Sequence, residues 1–133
     1  MGYLIESSVL IAAERGDIDV ASHAKGREDE AVFVSVVSAS ELLHGVWRAE
    51  EPGIRAKRQA FVEDILRRLP LLPVDLSVAR THAQIWADLQ AKGTLIGAHD
   101  LWLAATSLAH GLTLATRNLR EFERVPGLRV ERW

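Results

Sequence analysis

The chain has no cysteine among its 133 residues, so disulfide cross-links and thiolate metal sites are excluded. It has no apolar run approaching the roughly 18 residues of a membrane span. Its start, MGYLIESS, lacks the basic residues and long apolar stretch of a secretory signal. The myristoylation pattern needs Ser or Thr where Glu6 stands. The five histidines are scattered, and none makes HExxH or another zinc-type spacing. Positive charge is not in excess: 16 Lys and Arg against 18 Asp and Glu leave a net charge of −2, with a pI near 6.2. That balance argues against holding nucleic acid by bulk electrostatics. It leaves room for a nuclease whose acids are offset by divalent cations. Repeats, low-complexity stretches and linkers are missing too. The expectation is one cytoplasmic domain over residues 1–133 with no membrane anchor.

What is present is a soluble globular composition, 48% hydrophobic and 26% charged. "YLI" (3–5) reads as a short buried strand, after which Ser7 or Ser8 could cap a helix that Gly16 stops. Residues 17–29 read as a polar helix or loop, and "AVFVS" (31–35) as a second buried strand. A helix over 38–50 follows, closed by Pro52-Gly53. Residues 54–69 carry Ile54, Phe61, Ile65, Leu66 and Leu69 on one helical face, ended by Pro70. "LLPV" (71–74) is a third strand candidate, with a helix from there to Gly93. "HDLWLAATSLAHG" is another helix, "LTLATRN" a fourth strand and "LRVERW" a possible fifth. Short strands alternating with helices indicate an α/β fold with a mainly parallel sheet. The functional crevice of such a sheet lies beyond the carboxyl ends of its strands.

Three carboxylates sit awkwardly in this pattern. Glu6 interrupts apolar residues on both sides, and an unpaired buried charge is expensive. Arg117 is one partner that could neutralise it. Glu41 is the third residue after Ser38, so "SASE" also reads as a capping box. Asp100 can be read as an acid favoured by a helix N-terminus. The alternative is that all three converge on one strand-end edge to hold a hard divalent cation, which takes oxygen ligands. Asn118 belongs to the same edge.

The stretches "YLIESSVLIA", "SVVSASELLHG", "IGAHDLWLAATSLAHGLTLATRN" and "REFERVPGLRV" together resemble the PIN-domain toxins of the VapC type through the whole chain. The resemblance implies a three-layer α/β fold with a short, mainly parallel sheet flanked by helices. It implies a Mg²⁺- or Mn²⁺-dependent endoribonuclease, a cognate VapB antitoxin that blocks the site, and homodimers. Promoter DNA would be bound only through the toxin–antitoxin complex. Carried over by position, Glu6, Glu41 and Asp100 are the three family acids, with Glu6 and Asp100 the direct metal ligands. Ser8 is the serine of the first motif, able to cap the helix and orient an acid. Asn118 is the fourth polar position, with Thr116 beside it and Glu121 as a possible substitute.

One departure stands out, because the family has Asp where this chain has Glu6. The extra methylene moves the carboxylate roughly 1.5 Å further out, and a misplacement of about 1 Å can cost on the order of 10²-fold in rate. The rival reading is therefore a catalytically impaired PIN-fold subunit that engages antitoxin or RNA without cutting. Among other residues, Arg117 is a candidate phosphate contact, since guanidinium matches phosphate geometry. His99 reads as a helix-start residue, and His44, His82 and His110 as surface or packing residues. Trp47, Trp86 and Trp102 read as core or interface, and Trp133 as packed on the sheet edge. The charged segment 44–68 reads as a solvated helix face laced with ion pairs.

Overall fold

A computed structural model describes residues 2–133. Five short strands, β1 (Tyr3–Ile5), β2 (Val32–Ser35), β3 (Leu71–Leu72), β4 (Thr113–Thr116) and β5 (Val130–Arg132), form one sheet in the order β3-β2-β1-β4-β5. Every pairing is parallel, with Leu4 opposite Phe33 on one side and Leu114 on the other. Helices α1 (Ser7–Glu14), α2 (Val20–Ala24), α3 (Val36–Arg48), α4 (Pro52–Arg68), α5 (Leu76–Ala91), α6 (Ala98–His110) and α7 (Leu119–Phe122) fill the connections. The expected α/β class and three-layer arrangement are thus present.

Alternation along β1 explains the layers. Successive strand side chains face opposite sides, so Leu4 joins Val78, Leu89, Leu103 and Leu114 beneath α5 and α6. Tyr3 and Ile5 join Val9, Leu42, Val46 and Val62 beneath α1, α3 and α4. At about 1.5–3 kcal/mol for each fully buried large side chain, these two clusters dominate the stability. Gly111 ends α6 in the left-handed region at φ 64°, which costs a residue without Cβ nothing.

Local signals placed the elements more reliably than their ends. Ser35, not Ser38, caps α3 and accepts from the Val37 N–H. "SASE" is therefore one turn inside the helix and is no capping box: the helix begins as soon as β2 ends, leaving no room for a later start. Pro52 and Gly53 do not close a helix but open α4, with Pro52 at the first turn, where its missing N–H is harmless. Ile54, assigned to the apolar face of that helix, is exposed, and Val62 is its fully buried residue. The short α7 was not anticipated, since four residues are too few to show a period.

Trp133 is buried against the sheet edge as expected. Trp102 is half-buried, whereas Trp47 and Trp86 are 72% and 50% exposed and no part of the core. Arg67 and Arg68 both pair with Asp64 along α4, as the solvated-face reading of that segment expects. Among the described residues, no helix is long and apolar enough to cross a membrane.

His82 is buried in α5, stacked on Trp102 at 3.5 Å between ring centroids and edge-on to Trp86 at 5.8 Å. Burial holds its pKa below the ordinary 6.5. The fold favours the neutral ring, so stability is full above pH 6.5 and falls as the pH drops below it, where the unfolded chain takes up the proton first. Thermal melts of wild type and His82→Phe should run parallel at pH 7–8.5 and diverge below pH 6.5, the wild type losing more. Parallel curves throughout would contradict this assignment.

Candidate active site

The sheet order places a switch at the centre: β1 pairs with β2 on one side and with β4 on the other. The carboxyl ends of β1, β2 and β4 thus open on one crevice. Glu6 follows β1, Thr116 ends β4, and α3 leaves β2 carrying Glu41. Asp100 lies in the first turn of α6.

Glu6 is 6% exposed, and its charge is answered by hydroxyls and a backbone amide rather than by a cation. Its Oε1 accepts from Ser8 Oγ at 2.8 Å and from Thr116 Oγ1 at 2.8 Å. Its Oε2 accepts from Ser7 Oγ at 2.9 Å and from the Ser8 N–H at 2.5 Å. Four donors occupy the roughly four lone-pair directions of a carboxylate, which offsets the cost of burying it. Glu6 is itself the N-cap of α1, in place of Ser7 or Ser8. The longer side chain folds back over its own helix start, a position that favours an acid. Arg117 does not pair with it. The Arg117 guanidinium donates to the Trp133 carbonyl at 3.2 Å, while its backbone N–H donates to Ser8 Oγ at 3.1 Å.

The other acids gather around this cage. Ser7 Oγ also reaches Glu41 Oε1 at 3.3 Å, so one hydroxyl proton is shared between two carboxylates. Glu41 Oε2 lies 3.4 Å from His99 Nδ1. Burial, together with the charges of Glu6, Glu41 and Glu121, pushes the Asp100 carboxyl up to about 6. Glu121, in the first turn of α7, therefore belongs to the electrostatic surroundings of Asp100. Asn118 precedes α7 with its backbone N–H on Thr116 Oγ1 at 2.9 Å, and its side chain makes no capping bond. Beside Glu41, a groove of about 270 Å³ runs between α1, α3 and α4, with Arg15, Arg48 and Arg58 on its walls. Sequence reasoning missed Ser7; the signal for it was the doubled hydroxyl of "ESS".

This donor set suits a hard divalent cation: carboxylate oxygens from several elements, no Lys or Arg among their partners in the described residues, and one acid raised by burial and by its acidic neighbours. Among the described residues, no three His, Asp or Glu side chains lie close enough together to grip one ion. Ser7 links Glu6 to Glu41, Asp100 lies within the electrostatic reach of both, and Ser8 and Thr116 hold Glu6.

The PIN domain family matches residues 3–128. The chain is 35% identical over 130 residues to ribonuclease VapC1 of Rickettsia felis, covering 98% of this chain and 95% of that one. It is 38% identical over 100 residues to the tRNA(fMet)-specific endonuclease VapC of Salmonella typhimurium, covering 75% and 74%. Among solved structures, the DNA-bound VapBC of Salmonella typhimurium superposes with a TM-score of 0.89 at 29% identity, over 100% of this chain and 98% of that one. VapBC-5 of Mycobacterium tuberculosis does so with a TM-score of 0.76 at 30% identity, over 98% and 96%. Sequence, fold and the acid-lined crevice agree: this chain belongs to the PIN-domain family and, within it, to the VapC ribonucleases.

Proposed function

We propose that this chain is the toxic component of a type II toxin–antitoxin system, a cytoplasmic endoribonuclease acting as a single domain over residues 1–133. The observation that carries this reading is the convergence of Glu6, Glu41 and Asp100 on one strand-end edge, in a chain whose relatives are ribonucleases. Glu6 and Asp100 are the residues that would hold Mg²⁺ or Mn²⁺, and Asn118 would support the site. Such an ion, when bound, lowers the pKa of water and stabilises a developing negative charge on oxygen. Glu41 would orient the attacking water. Water, giving up a proton, would add to phosphorus as the P–O bond to the leaving ribose oxygen breaks and that oxygen takes up a proton, with no covalent bond to the protein. Glu6 presents no free lone pair until one of its four donors turns away, which weakens the site relative to an Asp.

The partner of this toxin is a VapB-type antitoxin, since solved relatives are VapBC complexes and one is bound to DNA. Promoter DNA would be engaged only through that complex, and the toxin itself is a homodimer. The test is cleavage of an RNA pool that includes initiator tRNA, the substrate named for one relative, by highly purified protein with Mg²⁺, Mn²⁺ or EDTA. Metal-dependent cutting that stops in EDTA and on adding the antitoxin is the expected result. Cutting that persists in EDTA would refute the metal site.

A further inference from the structure

Residues beyond the acid cluster close a loop of contacts around Glu6. Trp133 is 3% exposed, its ring stacked on His23 at 5.3 Å and tilted against Tyr3 at 5.2 Å. Its indole N–H donates to Glu131 Oε1 at 3.2 Å, and Glu131 Oε2 accepts from the Tyr3 hydroxyl at 3.1 Å. Arg27 pairs with the same carboxylate at 2.7 Å. The side chain of Trp133 is therefore fixed against β1, three residues before Glu6. Its backbone grips the other side of the crevice. The Trp133 N–H donates to the Thr116 carbonyl at 3.2 Å, and the Trp133 carbonyl accepts from Arg117 Nη1 at 3.2 Å. Arg132 Nη1 adds a bond to the Arg117 carbonyl at 3.1 Å.

That Thr116–Arg117 segment supplies both contacts that converge on Glu6 Oε1. One is direct, from Thr116 Oγ1, and the other runs from the Arg117 N–H through Ser8 Oγ. We propose that Trp133 is a positioning residue: it clamps the turn after β4 against β1 and so sets where the Glu6 carboxylate points. Arg117 is the clamp's anchor. A large aromatic suits the role because it buries 150–250 Å² on few rotatable bonds and holds two strands at once.

The inference rests on the reading of Glu6 as part of the cation site, but its structural half is tested without metal. Amide hydrogen exchange at Ser8 and Arg117 reports the clamp directly. It should speed up by about tenfold or more in Trp133→Ala and in Arg117→Ala, and return close to wild type in Trp133→Phe. Leu89→Ala, in the core on the other face of the sheet, is the control; it should lower the melting temperature without that local change. In cleavage assays with Mn²⁺, Trp133→Ala should lose about 10- to 100-fold in kcat with KM within about twofold, and Mn²⁺ affinity should fall in parallel. If Trp133→Ala and Leu89→Ala exchange alike at Ser8 and Arg117, Trp133 only fills space and the proposal fails. An Arg117→Ala defect confined to KM, with exchange unchanged, would assign that guanidinium to RNA and also overturn the clamp. Wild type that neither cuts RNA nor binds Mn²⁺ would refute the nuclease reading, and the exchange data would still decide the clamp.

Discussion

Asp100→Asn is expected to abolish RNA cleavage, lowering kcat/KM by at least about 10³-fold. A divalent cation supplies several kcal/mol to a phosphoryl-transfer transition state, and each 1.36 kcal/mol is about tenfold in rate. Asn keeps the shape and an acceptor oxygen but not the charge that holds the ion. The same substitution should stabilise the metal-free protein at neutral pH. An acid raised from 3.8 to about 6 keeps its proton longer in the folded chain than in the unfolded one. Its ionisation therefore costs stability progressively as the pH rises through that window. At about 1.4 kcal/mol per pH unit the cost would approach about 3 kcal/mol in a dry site, and water around this half-buried group reduces it to about 1 kcal/mol. Asp100→Asn should thus melt above wild type at pH 7 without metal, and level with it near pH 3.8 or below. Added Mn²⁺ should raise the wild-type melting temperature by mass action and leave the variant's unchanged. Near-normal cleavage by the pure variant would remove Asp100 from the site.

Glu6→Asp should have the opposite effect on activity, a gain of about 10²-fold, because a displacement of about 1 Å at a reacting centre costs that much. Asp is a preferred N-cap, so the shorter residue keeps the amide bond that starts α1. It cannot also span to Thr116, which frees carboxylate lone pairs for the cation. Thr116 Oγ1 then loses its acceptor in a fully buried position, at about 1–3 kcal/mol. The variant should therefore be the more active protein and the less stable one. Cleavage and Mn²⁺ affinity, measured side by side with thermal melts, check both halves. Equal rates for the two proteins would show that Glu6 serves as it stands. Silence from both, with the variant folded, would favour a binding subunit without catalysis.

The apolar strand runs and the 96–118 stretch were legible because each is local: β-branched residues in β2, helical spacing in α6 and a glycine at its end. Glu6 stands out by breaking an apolar pattern and Asp100 by opening α6, whereas Glu41 lies a turn inside α3 and is singled out by the family resemblance. Helix starts were less legible. Ser38 and Ser35 are both plausible caps in isolation, and only the abrupt end of β2 selects Ser35. For Glu6 the chain offers a cation or a partner such as Arg117, because local sequence cannot show that three hydroxyls and an amide surround it.

The family is legible as a resemblance of motifs along the chain, the α/β class from short strands alternating with helices, and residue type makes Glu6, Glu41 and Asp100 candidates. The tertiary structure alone decided what holds those acids. Thr116 is 110 residues from Glu6, and Trp133 reaches Glu6 only through a turn after β4. Contacts of that separation arise where parallel strands lie side by side, and no local pattern encodes which side chains will meet there.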